Sequence, residues 1–300
     1  MINSVKPNLI ISDSRGAWFR ATILFTLALI GTVGMWSVVV FIPDIEKEFG
    51  LDRGTSSLLY AFTMIGFGFG TVLIGKVYDK FGIKKPILLA TFVLITSYYF
   101  YSIFPFYWQF LILQFFMGFA ASAFFGPAMA DISNFFNKQR GFALSIVASA
   151  NYVAGATWPL LIGYFLTFID WRAAHFWISI CLFIMIPLIL LLKNASVDES
   201  KSHDMKQRYK DIRLDLSNNQ IQVLLMLAGI CCCVAMAMPQ VHMVALCVDN
   251  GFGLQVGTEI LAVMLYSGMI SRIVFGMISD RIGPVLTLLL GSFLQMVSLT

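Results

Sequence analysis

"GKVYDKFGIKKP", residues 75–86, sets five charges and two glycines between two long apolar runs. Its skeleton returns as "GMISDRIGP" from Gly276, where Gly276, Asp280, Arg281 and Gly283 answer Gly75, Asp79, Lys80 and Gly82 at a constant offset of 201 residues. A polar turn repeated at a fixed distance marks an internal repeat. What surrounds each copy decides the fold.

The surroundings are apolar. Hydrophobic residues make up 59% of the chain and charged residues 12%, where a soluble domain carries about 25% charged residues. Runs of about 20 apolar residues recur, each long enough to cross a hydrocarbon core of roughly 30 Å as a helix. They lack the apolar/polar alternation of a membrane barrel. The runs predict spans at 21–42, 56–77, 86–104, 107–130, 141–166, 174–192, 219–247 and 256–278, with a ninth from Pro284 still running at Thr300. The reading is an all-α membrane protein of about nine transmembrane helices. Lipid cannot satisfy an abandoned helix end, so a fragment of a longer chain is expected.

The first twenty residues hold no compact apolar core followed by a small-residue cleavage site, so the first span is expected to stay as an anchor. All five cysteines (Cys181, Cys231, Cys232, Cys233 and Cys247) fall in predicted spans. Consecutive helical residues point about 100° apart, so the Cys231 to Cys233 run cannot converge on a metal ion. No metal and no cofactor is implied. With the N-terminus taken as cytoplasmic, sixteen of the twenty lysines and arginines fall inside and only Lys47, Arg53 and Arg172 outside. That asymmetry accounts for the net charge of +4 without a nucleic-acid partner, and it orients the chain in a bacterial inner membrane.

One polar stretch, from Lys193 to Asn218, divides six spans from the rest. The expected organisation is a six-helix bundle over 1–192, a cytoplasmic linker over 193–218 and the first three helices of a second bundle over 219–300. "NAS" at Asn194 matches a glycosylation acceptor, but a cytoplasmic linker is not exposed to that machinery. "GFGFG" from Gly66 lies within a span with no strand before it, so helix packing through small residues is the reading rather than a nucleotide loop.

The repeated turn has its own chemistry. Gly75 lets a neighbouring backbone approach, and Gly82 permits a positive φ in a tight reversal. Asp79 is placed to accept hydrogen bonds from helix N-terminal amides, while Lys84 and Lys85 reach lipid phosphates. With its two copies placed after the second span of each half, the pattern resembles the signature turn of the major facilitator superfamily of secondary transporters. That resemblance implies two six-helix bundles, the second incomplete here.

Within that group the chain is most similar to the monocarboxylate transporters and oxalate/formate antiporters. "NFFNKQRGFALSIVASANYVAGATWPLLIGYF" from Asn134 looks like their entry into helix 5. "DWRAAHFW" resembles the segment before their helix 6, with Asp170 in place of a glycine, and "VHMVALCVDNGFG" resembles the end of helix 7. The resemblance implies a small organic anion as substrate, a mono- or dicarboxylate, with a coupling proton or counter-anion.

Arg272 is the residue expected to carry transport. It lies eight residues before Asp280, about 12 Å into the core, where an arginine costs at least about 2.5 kcal/mol. Gly268 and Gly276 share its face, whereas Val263, Ile270 and Val274 lie opposite, so it is expected to face protein rather than lipid. A guanidinium forks onto a carboxylate, and both resembled families hold an arginine at this helix 8 position. The alternative is an arginine snorkelling to the interface or paired structurally. His242, beside Gln240 and after Pro239, is either a titrating or hydrogen-bonding group or a packed histidine. Asn151 and Tyr152 share a face with Ala148 and Gly155 and either line the cavity or pack helices. Trp36 is a cavity wall or a packed aromatic.

The chain departs from the animal proton-coupled pattern. Trp36 stands where those proteins have a lysine and Gly268 where they have an acid, which leaves an exchanger, a carrier using His242 or coupling through further helices open. A drug or neutral-metabolite exporter of the same superfamily is the alternative function, with Arg272 structural. An intramembrane enzyme would need a His-Glu-x-x-His helix or paired aspartates, which the sequence lacks.

Overall fold

The structure, a computed structural model, describes residues 13–192 and 217–299. The linker readings at Lys193 and Asn194, and the first twelve residues, lie outside it. Nine helices cover the described residues. They are α1 (Arg15–Phe49), α2 (Arg53–Phe81), α3 (Lys84–Ile103), α4 (Tyr107–Ser133), α5 (Arg140–Phe165), α6 (Trp171–Leu191), α7 (Asn218–Asp249), α8 (Gly253–Ile282) and α9 (Pro284–Leu299). The first eight are long and apolar enough to cross a membrane. Successive helices alternate in direction, which gathers Lys76, Lys80, Lys84, Lys85, Lys138, Arg140 and Arg281 at one end, the basic end.

The helices run further than the apolar runs suggest, because their polar ends carry caps. Asp52 accepts from the amides of Gly54 and Thr55 at 3.0 and 3.3 Å, and the Thr55 hydroxyl holds its carboxyl below the usual range. Ser217 and Gln220 form a reciprocal capping box on α7. Gly82 and Gly283 close α2 and α8 with φ of 73° and 88°, as the repeated turn requires. Three helices are interrupted: α1 at Thr32, α4 by a 3₁₀ turn at Ser122–Phe124 and α6 by one at Leu182–Ile184.

"GFGFG" packs helices as expected. A methyl at Gly66 would overlap the carbonyl oxygen of Phe115, one at Gly70 that of Phe119, and one at Gly118 that of Thr63. Backbones of α2 and α4 therefore touch. Gly68 points away and faces open space.

Most polar groups buried among α1–α6 are paired; among the described residues His175 Nε2 has no hydrogen-bond partner. Arg20 is forked onto Asp131 at 2.5 and 2.9 Å, both nearly fully buried, and its guanidinium lies 4.7 Å over the Phe135 ring. Arg20 is thus a structural ion, although the charge asymmetry counts it among the sixteen basic residues inside. Ser37 bonds Tyr98 at 2.6 Å, and Gln114 links Thr63 to Tyr101. His175 stacks on Tyr101 at 4.3 Å and donates from Nδ1 to the Trp171 carbonyl at 2.7 Å.

Gly118→Ala should cost about 1–3 kcal/mol by overpacking, because the obstacle is backbone. Gly68→Ala should be neutral or slightly stabilising. Thermal unfolding of the two variants in detergent checks the contrast.

Candidate functional site

The seam between α1–α6 and α7–α9 is built mainly from α5 and α8, the most extensively packed helix pair. Small residues set their approach. A methyl at Gly276 would overlap the Ser145 hydroxyl, and one at Gly141 would lie 2.8 Å from the Gly276 carbonyl oxygen. One at Gly268 would lie 2.8 Å from the Tyr152 ring, and Gly163 faces Thr258 at 3.4 Å.

That approach turns Arg272 onto α5. Its Nη1 donates to the Ala148 carbonyl at 3.1 Å, and its guanidinium carbon sits 4.3 Å over the Tyr152 ring, a cation–π contact. Val263, Ile270 and Val274 on the opposite side are exposed, so the face assignment made from small and branched residues is borne out. Among the described residues no carboxylate pairs with Arg272.

Trp36, Asn151 and Tyr152 gather beside it. Trp36 Nε1 donates to Asn151 Oδ1 at 3.0 Å, and the Tyr152 hydroxyl reaches Met236 Sδ at 3.1 Å. Gly155 lies beneath the Trp36 ring and against Leu265. His242 and Gln240 are not drawn into this group: His242 is exposed, Gln240 half-buried, and no described residue hydrogen-bonds either. Met236 and the Ala148 carbonyl are contributors that the sequence reading missed. Methionine is apolar in any count, and a backbone acceptor has no sequence signal.

Each end of the seam is closed by a charge. At the basic end Asp280 accepts from the amides of Gly141 and Phe142 at 2.7 and 2.9 Å, which are first-turn donors of α5. The role expected of Asp79 is thus performed by its repeat partner, while among the described residues the Asp79 carboxylate has no hydrogen bond and a methyl at Gly75 would meet nothing within 4 Å. The close approach expected at Gly75 occurs at Gly276 instead. At the other end Arg53, held by Glu46 at 2.9 Å, bridges to Asp249 of α7 at 2.9 Å. Lys85 lies over the Phe81 ring at 4.5 Å, and Lys84 reaches towards the Leu190 carbonyl.

The sequence has known relatives. The family description "Major Facilitator Superfamily" matches residues 24–300. The chain is 26% identical over 221 residues to "MFS-type transporter pynF" of Aspergillus niger, covering 71% of this chain and 49% of that protein. It is 24% identical over 252 residues to "Agnestins efflux protein AgnL12" of Paecilomyces divaricatus, covering 81% and 56%. It is 24% identical over 172 residues to "Inner membrane transport protein YnfM" of Escherichia coli, covering 56% and 41%. The chain thus spans about half the length of these relatives. None of the three names carries a monocarboxylate or oxalate description.

Asp280→Ala should cost about 0.5–2 kcal/mol through loss of the α5 cap, and Asp280→Asn less, because the amide keeps one acceptor. Thermal midpoints of the two variants test the order.

Proposed function

The chain belongs to the Major Facilitator Superfamily, and on that premise we propose that it forms much of a secondary carrier moving a small organic anion across a membrane. The carrier has two helical bundles, 1–192 and one beginning at 219, joined by a linker over 193–218. They rock about the seam to expose it to each side in turn. The N-terminus and the basic end face the cytoplasm. One observation carries the anion reading. Arg272 stands in the seam with its guanidinium over the Tyr152 ring and one N–H on the Ala148 carbonyl, and its other donors have no described partner. A guanidinium so placed is orientated before substrate arrives, and a carboxylate can take its open edge in two parallel hydrogen bonds.

A bacterial inner membrane is one setting and a fungal membrane another, since the relatives come from both groups. A second reading is export of a drug or neutral metabolite, with Arg272 structural. The efflux named for one relative supports it. The two readings differ at Arg272.

Uptake and efflux of labelled short-chain carboxylates by the intact protein in proteoliposomes separate them. Arg272→Ala should abolish carboxylate movement, and Arg272→Lys should reduce it at least about tenfold, since an ammonium lacks the fork. Transport unchanged in both variants overturns the anion reading and leaves the exporter.

A further inference from the structure

The seam fixes the direction of an amide as well as the place of a guanidinium. Trp36 Nε1 stands 3.0 Å from Asn151 Oδ1. An indole N–H can only donate, so the amide oxygen must be the atom facing it, and Asn151 Nδ2 keeps its two N–H donors for other partners. Among the described residues nothing accepts from Nδ2. Asn151 lies half-buried on the α5 face that also carries Ala148 and Tyr152, the two residues that hold Arg272. Residues three apart on a helix are neighbours, so Asn151 sits one turn along α5 from Ala148, whose carbonyl Arg272 reaches.

Trp36 is itself held. It is 4% exposed, and a Cβ at position 155 would fall 2.5 Å from its Cε2 and 2.7 Å from its Cδ2. Glycine leaves room for the ring; alanine does not. The indole is therefore set by α5 and in turn sets the amide one turn earlier on the same helix.

We propose that Trp36, seated on Gly155, is a positioning residue that presents the Asn151 amide as a second hydrogen-bond donor beside Arg272. The site then selects carboxylates that carry an acceptor oxygen a few ångströms from the anionic group. It disfavours those carrying an ammonium there, which would meet the Asn151 N–H donor and the positive charge of Arg272. The inference rests on Arg272 being the anion anchor.

The intact protein in detergent, titrated with butyrate, 4-hydroxybutyrate and 4-aminobutyrate, tests it by calorimetry. The unaltered protein should bind 4-hydroxybutyrate about fivefold tighter than butyrate and 4-aminobutyrate more weakly than either. Trp36→Phe and Asn151→Leu should each bring the hydroxybutyrate-to-butyrate ratio close to one, and the double variant should lower it no further, which general destabilisation would not produce. Asn151→Leu reads the same ratio with Trp36 intact, so a folding failure of one variant, seen as a lost thermal transition, leaves the other to decide. A ratio equal in all forms, with binding still abolished by Arg272→Ala, overturns the role of Trp36 and leaves the anchor standing. Absence of Arg272-dependent binding for all three acids overturns the anchor and this inference with it.

Discussion

Helices α5 and α8 approach closely because a small residue stands at each crossing: Gly141 and Ser145 against Gly276, and Gly163 against Thr258. Gly268 and Gly155 do the same for aromatic rings, leaving space for Tyr152 and Trp36. Without that clearance Arg272 could not reach the Ala148 carbonyl or lie over Tyr152. In lipid such contact is favoured by van der Waals packing rather than by the hydrophobic effect, since acyl chains are as apolar as leucine. Shape therefore decides where the cation goes.

Charges then decide which ends meet. An acid, Asp280, docks on the N-terminal amides of α5, where partial positive charge accumulates, and a base, Arg53, docks at Asp249 on the C-terminal turn of α7, where the sign is reversed. Both contacts join α1–α6 to α7–α9, and they lie at opposite ends of the seam. The Arg20–Asp131 pair differs in kind. It is buried inside the first six helices, where loss of one partner would strand a charge at about 3–5 kcal/mol. It holds α1 to α4, whereas the exposed Arg53 contact is worth far less and can be exchanged.

Much of this was legible residue by residue. Glycines at Gly66 and Gly70 announced a helix contact, and the alternation of Gly268 and Gly276 with Ile270 and Val274 told which side of α8 faces protein. Other features were not. Arg20 reads as one more basic residue near a membrane edge, and only Asp131, an acid just past an apolar run, hints at its partner 111 positions away. Asp79 and Asp280 are equivalent in the repeat, yet only Asp280 meets a helix N-terminus among the described residues. His242 read equally as a hydrogen-bonding group or a packed histidine, and in the structure it is exposed with no described hydrogen-bond partner.

By itself the sequence determined that the chain is helical and membrane-spanning, that it repeats at 201 residues, and that one arginine shares a helix face with Gly268 and Gly276. These follow from length, hydropathy and periodicity, which act along one helix at a time. Only the tertiary structure decided that this arginine stacks on Tyr152, that Trp36 orientates Asn151, and that Asp280 and Arg53 close the two ends of the seam. Each of those contacts joins residues more than a hundred positions apart, and they form only once backbones have packed closely enough for short side chains to meet.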